Sequence, residues 1–328
     1  MRAVRYRRFG SAAELEVVDV ADPVPRAGEL LVRVAAASLN PLDWKIRAGH
    51  LRLVPMLARP PRITGVDFAG TIVGVGGGAG ARHVGERVFG SLSPFGRGGS
   101  CAELLVVPAA RVVPIPDGVD DDAAATLPIA AGTALQALAD DACIGRGQRV
   151  LITGAAGGVG HFAVQVAKHA GAQVVATCGS ANVDFVRSLG ADQVIDYTTT
   201  GHLSQLGAPF DVVFDVAESI GWRRARALLV RDGWYIGTGG RTGAAIETTV
   251  ASVLAPVIAG IRVRTFVLRG GAALNERLAL LVAQRALVPH IARRIALEDV
   301  AQAQRAMETG HGRGKIVVRP GAAAVPTP

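Results

Sequence analysis

The stretch from Arg149 to Gly171, RVLITGAAGGVGHFAVQVAKHAG, constrains this chain more than any other. Val150, Leu151, Ile152 and Thr153 form a short apolar and β-branched run that enters a turn of glycines and alanines. Beyond the turn, apolar residues recur at helical spacing (Val159, Ala163, Val166, Ala167, Ala170). The pattern predicts strand, tight turn and helix. Glycines at 157, 158 and 160 let backbone N–H groups approach a pyrophosphate, and a helix beginning near Val159 directs its positive dipole end at that anion. A Gly/Ala-rich turn also serves close strand–helix packing, so the turn alone does not decide between ligand and packing.

Composition narrows the classes. A chain of 328 residues, half of them hydrophobic, suits two domains with full cores. The longest nearly uncharged apolar run, residues 248–261, is too short to span a bilayer and contains Pro256 and Gly260. The N-terminus MRAVRYRRFG has no apolar segment of the signal-peptide kind, which points to a cytoplasmic, non-membrane protein. Cys101, Cys143 and Cys178 are isolated and odd in number, against both a disulfide framework and a cysteine-rich zinc lobe. The net charge of +8 is spread over scattered arginines, with lysine only at 45, 168 and 315, so a dedicated nucleic-acid surface is not expected. A polyphosphate ligand suits the charge equally well.

Residues 1–125 carry short β-type runs (LEVVDV, ELLVRVAAAS, DFAGTIVGVG, ERVFG, AELLVVP, RVVPIP) separated by Gly and Pro, the pattern of a partly open antiparallel barrel. An acidic cluster and Pro128 lead into a helix at 132–140. From Arg149 the period changes: strands at VLIT, QVVAT, QVIDY, FDVVFDV and GWYIGT alternate with helices at 159–170, 181–189 and 219–230, an α/β alternation that predicts a parallel, doubly wound sheet. IRVRTFVL (261–268) closes that sheet or lies at its edge, where the same strand of a second subunit would extend it into a homodimer. A helix at 274–285, a strand in HIARRIAL, a helix at 298–309 and the strand KIVV then return to the first domain, ahead of a disordered tail at 321–328.

Two features separate the enzyme classes that share such a turn. The second strand ends at Thr177-Cys178-Gly179-Ser180, where a Rossmann fold presents its ribose-reading residue. No acid stands there, so Gly179 and Ser180 leave room for a 2′-phosphate and favour NADPH, with NADH as the second choice. No Lys or Arg adjoins Ser180; Arg187 lies about two helical turns further on. TGAAGGVG also fits the TGxxxGxG turn of short-chain dehydrogenases, which need a YxxxK pair. Tyr6, Tyr197 and Tyr235 are followed four residues later by Gly10, Gly201 and Gly239, which excludes that class.

At this point the chain resembles the medium-chain dehydrogenase/reductase superfamily, in its zinc-free quinone oxidoreductase branch. The resemblance runs nearly the whole length through SLNPLDWKIRAG (38–49), ITGVDFAGTIVGVG (63–76), VGERVFG (84–90), GGSCAELLVVP (98–108), AATLPIAAGTALQAL (124–138), the glycine turn, LGADQVIDY (189–197), FDVVFDV and GHGRGKIVV (310–318). It implies a GroES-like β-barrel catalytic domain (1–125 plus 270–320) interrupted by a Rossmann NADP-binding domain (126–269), with the active site in the cleft between them. It places Ala155, Gly157, Gly158, Val159 and Gly160 on the pyrophosphate, and Ser180 and Tyr197 on the adenosine ribose and its 2′-phosphate. Thr133, Gly237, Val267 and Leu268 fall near the nicotinamide. Where many relatives carry a basic residue after the serine, this chain has Ala181 and Asn182.

Zinc-dependent members draw their ligands from stretches that here read Asn40-Pro41-Leu42-Asp43 and Gly65-Val66-Asp67-Phe68, with neither thiolate nor imidazole. No metal is therefore expected. Without a Lewis acid, substrates with built-in electrophilicity suit the chemistry: hydride transfer from NADPH to a quinone or to the β-carbon of an α,β-unsaturated carbonyl, with the oxyanion held by hydrogen-bond donors. Asn40 is the first candidate donor, Asp43 an orienting carboxylate, and Lys45 either a proton donor or a solvated surface lysine. Two further readings stay open: a redox-silent NADPH-binding protein that engages RNA or a partner, and an enoyl reductase acting on a carrier-bound chain.

Overall fold

The computed structural model describes residues 1–52, 59–94, 96, 98–199, 206–207, 209–238, 260–265, 268–310 and 312–321. The chain divides into two units, Met1–Ala130 with Gly270–Arg285 and Pro289–Pro328, and Ala131–Arg269 with Ala286–Val288. Its strands, in chain order, are β1 (Arg2–Tyr6), β2 (Glu16–Asp19), β3 (Glu29–Ser38), β4 (Arg62–Ile63), β5 (Asp67–Val75), β6 (Arg87–Ser91), β7 (Leu104–Pro108) and β8 (Val112–Pro114). They continue with β9 (Arg149–Ile152), β10 (Gln173–Cys178), β11 (Gln193–Asp196), β12 (Phe210–Asp215), β13 (Leu229–Gly237), β14 (Arg262–Thr265), β15 (Ile291–Ile295) and β16 (Lys315–Val318).

The first unit holds a sheet of order β15-β16-β3-β5-β6-β8, with β7 also paired to β3, and a small sheet β2-β1-β4. β3 shows why it forms: Leu30, Val32, Val34 and Ala36 alternate into the core while Arg33 and Ala35 face out, the period-2 pattern of a half-buried strand. A register shift between Val34 and Ala36 interrupts the alternation, and Ala37 and Ser38 both turn inward. Ser38 then lies beside Asp67 of β5 and Val317 of β16. The end of β3 and the starts of β5 and β16 therefore meet in one buried place. The core around them includes Val4, Leu30, Val32, Phe68, Ile72, Val107 and Val318.

The second unit is one parallel sheet of order β11-β10-β9-β12-β13-β14. Val150, Leu151 and Ile152 of β9 are fully buried, as a central parallel strand covered on both faces must be. The order reverses between β9 and β12, and in such sheets ligands bind beyond the C-terminal strand ends at that point. A helix, Gly160–His169, follows the β9 turn.

Several boundaries differ from expectation. The helix expected at 219–230 is confined to Gly221–Ala225 plus one 3₁₀ turn, because β13 already starts at Leu229; Asp232 adopts a left-handed φ of 61° where the strand runs irregularly past β12. The expected helix at 132–140 belongs to a longer helical stretch, 127–141, with π-type turns. β14 occupies the sheet edge. Val267 and the tail from 322 lie outside the described residues. Among the described residues, no helix is long and apolar enough to cross a membrane.

Candidate active site

The β9 turn is built around two glycines. Gly154 takes φ +59°, and a Cβ on Gly160 would sit 2.1 Å from the Gly154 carbonyl oxygen, so the helix can start only with glycine there. Gly157, Gly158 and Val159 are half-exposed at the mouth of the turn, ahead of the N-terminus of a ten-residue helix. A dinucleotide pyrophosphate fits this cradle: small residues admit the anion, and amides and helix dipole face it. Ala155 has a different part from the one expected. It is fully buried and its N–H donates to Thr177 O at 3.0 Å, so it shapes the turn and offers nothing to a ligand. Gly160 likewise backs onto the turn.

Three other expected cofactor residues, Ser180, Tyr197 and Gly237, stand at C-terminal strand ends of the same sheet. Ser180 follows β10, and Tyr197 follows β11 with its hydroxyl 3.3 Å from where a Cβ on Gly179 would project. Gly237 ends β13, Thr133 is buried in a helix, and Leu268 is half-buried just before Arg269. Arg269 donates from its backbone to Gln136 Oε1 (2.8 Å) and from its guanidinium to Asp141 (2.8 Å). Arg187, the only cation the sequence offered for a 2′-phosphate, is ion-paired with Asp184 at 3.1 Å.

Asp215, which sequence reasoning missed, ends β12 at the switch point and is fully buried. Its carboxylate accepts from Thr153 Oγ1 (2.7 Å), the backbone of Ser219 (3.0 Å), Ile220 (3.0 Å) and Gly221 (2.9 Å), and Tyr235 Oη (3.1 Å). One side chain thus fixes the ends of β9, β12 and β13. The readable signal was an acid directly after an apolar strand run, FDVVFD.

In the first unit, Asn40 caps the helix Pro41–Arg47, and Asp43 Oδ2 accepts the Asn40 backbone N–H at 2.7 Å. The Asn40 amide donates to Asp67 Oδ2 at 2.8 Å and to Ser38 O at 3.2 Å, while its Oδ1 accepts from Lys315 Nζ at 2.6 Å. Lys315 Nζ also donates to Leu39 O at 2.8 Å. These partners fix the amide orientation, since an ammonium only donates and a carboxylate only accepts. Both Asn40 amide hydrogens are therefore committed within the protein, which corrects the expectation that Asn40 donates to a substrate oxyanion. Asp67 and Lys315 were not singled out as site residues.

Burial dominates the electrostatics of this cluster. It raises the Asp43 carboxyl to about 7, against the pull of the Asn40 N–H and the Lys315 ammonium. Asp67 is likewise raised to about 7 by burial, and Lys315 is lowered to about 8. Oδ1 of each aspartate has no hydrogen-bond partner among the described residues, which further favours the neutral acid. Lys45, on the same helix, stands apart: it is half-buried, with Nζ 5.7 Å from the Trp44 ring centroid. Arg47 is fully buried and bonded to Gln304, Glu308 and Gly10 O, a packing role joining that helix to Val300–Glu308. Among the described residues, no three His, Cys, Asp or Glu side chains converge as a metal site.

A parallel sheet of this order with a glycine cradle, beside a unit built on a mainly antiparallel sheet, defines a class: a Rossmann doubly wound domain inserted in a GroES-like β-barrel domain. Residues 26–117 match the alcohol dehydrogenase GroES-like domain family, and residues 189–318 the family described as zinc-binding dehydrogenase. The chain is 36% identical over 330 residues to a chloroplastic quinone oxidoreductase of Triphysaria versicolor, covering 98% of each chain. It is 44% identical over 230 residues to the chloroplast envelope quinone oxidoreductase homolog of Arabidopsis thaliana, covering 67% of this chain and 69% of that one. The solved quinone oxidoreductase of Coxiella burnetii superposes with a TM-score of 0.86 at 30% identity, over 97% of this chain and 99% of that one. The chain belongs to the medium-chain dehydrogenase/reductase superfamily, in its quinone-oxidoreductase-like branch. It is an oxidoreductase of the nicotinamide-dependent kind.

Proposed function

We propose that this protein reduces quinones or α,β-unsaturated carbonyls, with a reduced nicotinamide dinucleotide as hydride source and no zinc. The observation that carries the proposal is the near full-length match to quinone oxidoreductases in a chain whose β9 turn forms a dinucleotide cradle. Gly157, Gly158 and Val159 would hold the pyrophosphate, Ser180 and Tyr197 the adenosine ribose, and Thr133, Gly237 and Leu268 the nicotinamide end. When bound, the dinucleotide supplies the hydride.

Independence from zinc is supported by the Lys315 ammonium. It already engages Asn40, whose amide is tied to Asp67, in the two stretches that correspond to the metal-binding ones of zinc-dependent relatives. A dication would have to displace that buried ammonium from the same donors. Lys45 is the residue we assign to proton donation. Asn40 and Asp43 become positioning residues, because together they cap the helix that carries it.

The test follows dinucleotide oxidation with 1,4-benzoquinone, a linear enone, and a primary alcohol with the oxidised cofactor, each with and without a chelator. Quinone or enone turnover that survives chelation is expected. Turnover of the alcohol alone, or loss of activity on chelation, overturns the proposal. Lys45→Met should lower kcat about tenfold or more with dinucleotide affinity nearly unchanged.

A further inference from the structure

At the ends of β10 and β11, which pair in parallel with Cys178 opposite Asp196, three side chains form a short relay. Ser180 Oγ lies 2.8 Å from Thr198 Oγ1. Thr198 Oγ1 lies 2.7 Å from Asp196 Oδ1, which also accepts the Thr198 backbone N–H at 2.9 Å. The hydrogens in this chain can be counted. A carboxylate only accepts, and a hydroxyl has a single hydrogen. Thr198 commits its hydrogen to Asp196, so the contact between the two hydroxyls must be donated by Ser180. Ser180 is left presenting lone pairs, and no hydrogen, to whatever binds beside it.

We infer that the Ser180–Thr198–Asp196 relay selects a dinucleotide with a free ribose 2′-hydroxyl, NADH, over its 2′-phosphorylated counterpart. A 2′-hydroxyl can donate to Ser180 Oγ. A 2′-phosphate carries acceptor oxygens, so it meets lone pairs where it needs donors, and the Asp196 carboxylate repels it from behind. The residues that follow Ser180, Ala181 and Asn182, carry no charge, and Arg187, about two helical turns on, pairs at the surface with Asp184. The inference deepens the cofactor reading under Proposed function and rests on it. It also reverses the NADPH preference expected from an uncharged Gly179–Ser180 pair, because the deciding acid stands on the next strand rather than after β10.

The decisive measurement is calorimetric titration of the full-length protein with NADH and with NADPH, without substrate, on wild type and two variants whose folding is checked by thermal melting. Wild type should bind NADH about tenfold more tightly, the value of roughly one hydrogen bond to a charged group. Thr198→Val frees the Ser180 hydrogen, and NADPH affinity should rise about fivefold to tenfold. Asp196→Asn keeps an acceptor for Thr198 and removes only the charge, so its gain for NADPH should be smaller, about threefold. NADPH bound as tightly as NADH by wild type, or an unchanged affinity ratio in folded Thr198→Val, overturns the inference and leaves the cofactor reading intact. Binding of neither dinucleotide overturns both.

Discussion

Two buried aspartates at strand termini, Asp215 at the end of β12 and Asp67 at the start of β5, meet opposite treatment from the fold. Asp215 accepts six hydrogen bonds, three of them from successive backbone amides of Ser219, Ile220 and Gly221. Asp67 accepts two at one oxygen, from Asn40 and the Ile129 backbone, and its other oxygen has no partner among the described residues. Its compensation is a charge, the Lys315 ammonium, reached through Asn40. A carboxylate met by many fixed dipoles acts as a frame. One balanced against a single buried cation acts as a titratable group, and its ionisation is pushed to about 7.

Removing the cation should break the second arrangement outright. Lys315→Met leaves Asp67 buried without its counter-charge, leaves Asp43 with Arg62 alone, and deprives Asn40 Oδ1 of its donor, so chemical denaturation should show a loss of about 3–5 kcal/mol. A loss under about 1 kcal/mol would mean that the two acids are already neutral without Lys315. Asp215→Asn comes next. It turns an amide toward at least one of the three backbone donors, and a loss of about 2–3 kcal/mol is expected, together with weaker dinucleotide binding as the ends of β9, β12 and β13 loosen. Unchanged binding in a destabilised variant would confine Asp215 to folding.

These two sites also mark how far the sequence could be read. The β9 turn declared itself because strand, glycine turn and helix are adjacent in the chain, and the β/α alternation around it fixed a parallel sheet. The Lys315–Asn40 contact joins residues 275 apart, and only the pairing of β16 and β5 with β3 brings them together. Asn40 and Asp43 were therefore legible as a polar pair, a donor and an orienting carboxylate, while the helix they start and the engagement of the Asn40 amide by Asp67 and Ser38 were not. Ala155 sits in the glycine turn, yet its amide faces β10 and its methyl is buried, a direction that spacing does not encode. The Asp196–Thr198 pair was readable as an Asx-type turn, D-Y-T, but its reach to Ser180 depends on the parallel register of β10 and β11.

The contrast in ionisation gives a pH test. Asp43, like Asp67, has a folded pKa near 7, well above its unfolded value of about 3.9, so the folded state holds the proton more tightly between those limits. Its stabilising contribution is complete below about pH 4 and is lost as pH rises through about 7. Asp43→Asn keeps an acceptor for the Asn40 N–H and cannot ionise. Relative to wild type, the variant should gain about 1–2 kcal/mol between about pH 5 and pH 7. A constant difference across that range would mean that Asp43 enters the folded state as readily ionised as neutral.

The smallest effect tests redundancy in the frame. Thr153→Val is nearly isosteric, removes one of the six donors to Asp215, and leaves Ala217 N without its 3.0 Å acceptor. With five donors still on the carboxylate, the loss should be about 1 kcal/mol. A loss above about 2 kcal/mol would show that the remaining donors do not hold the Asp215 carboxylate in place without the Thr153 hydroxyl.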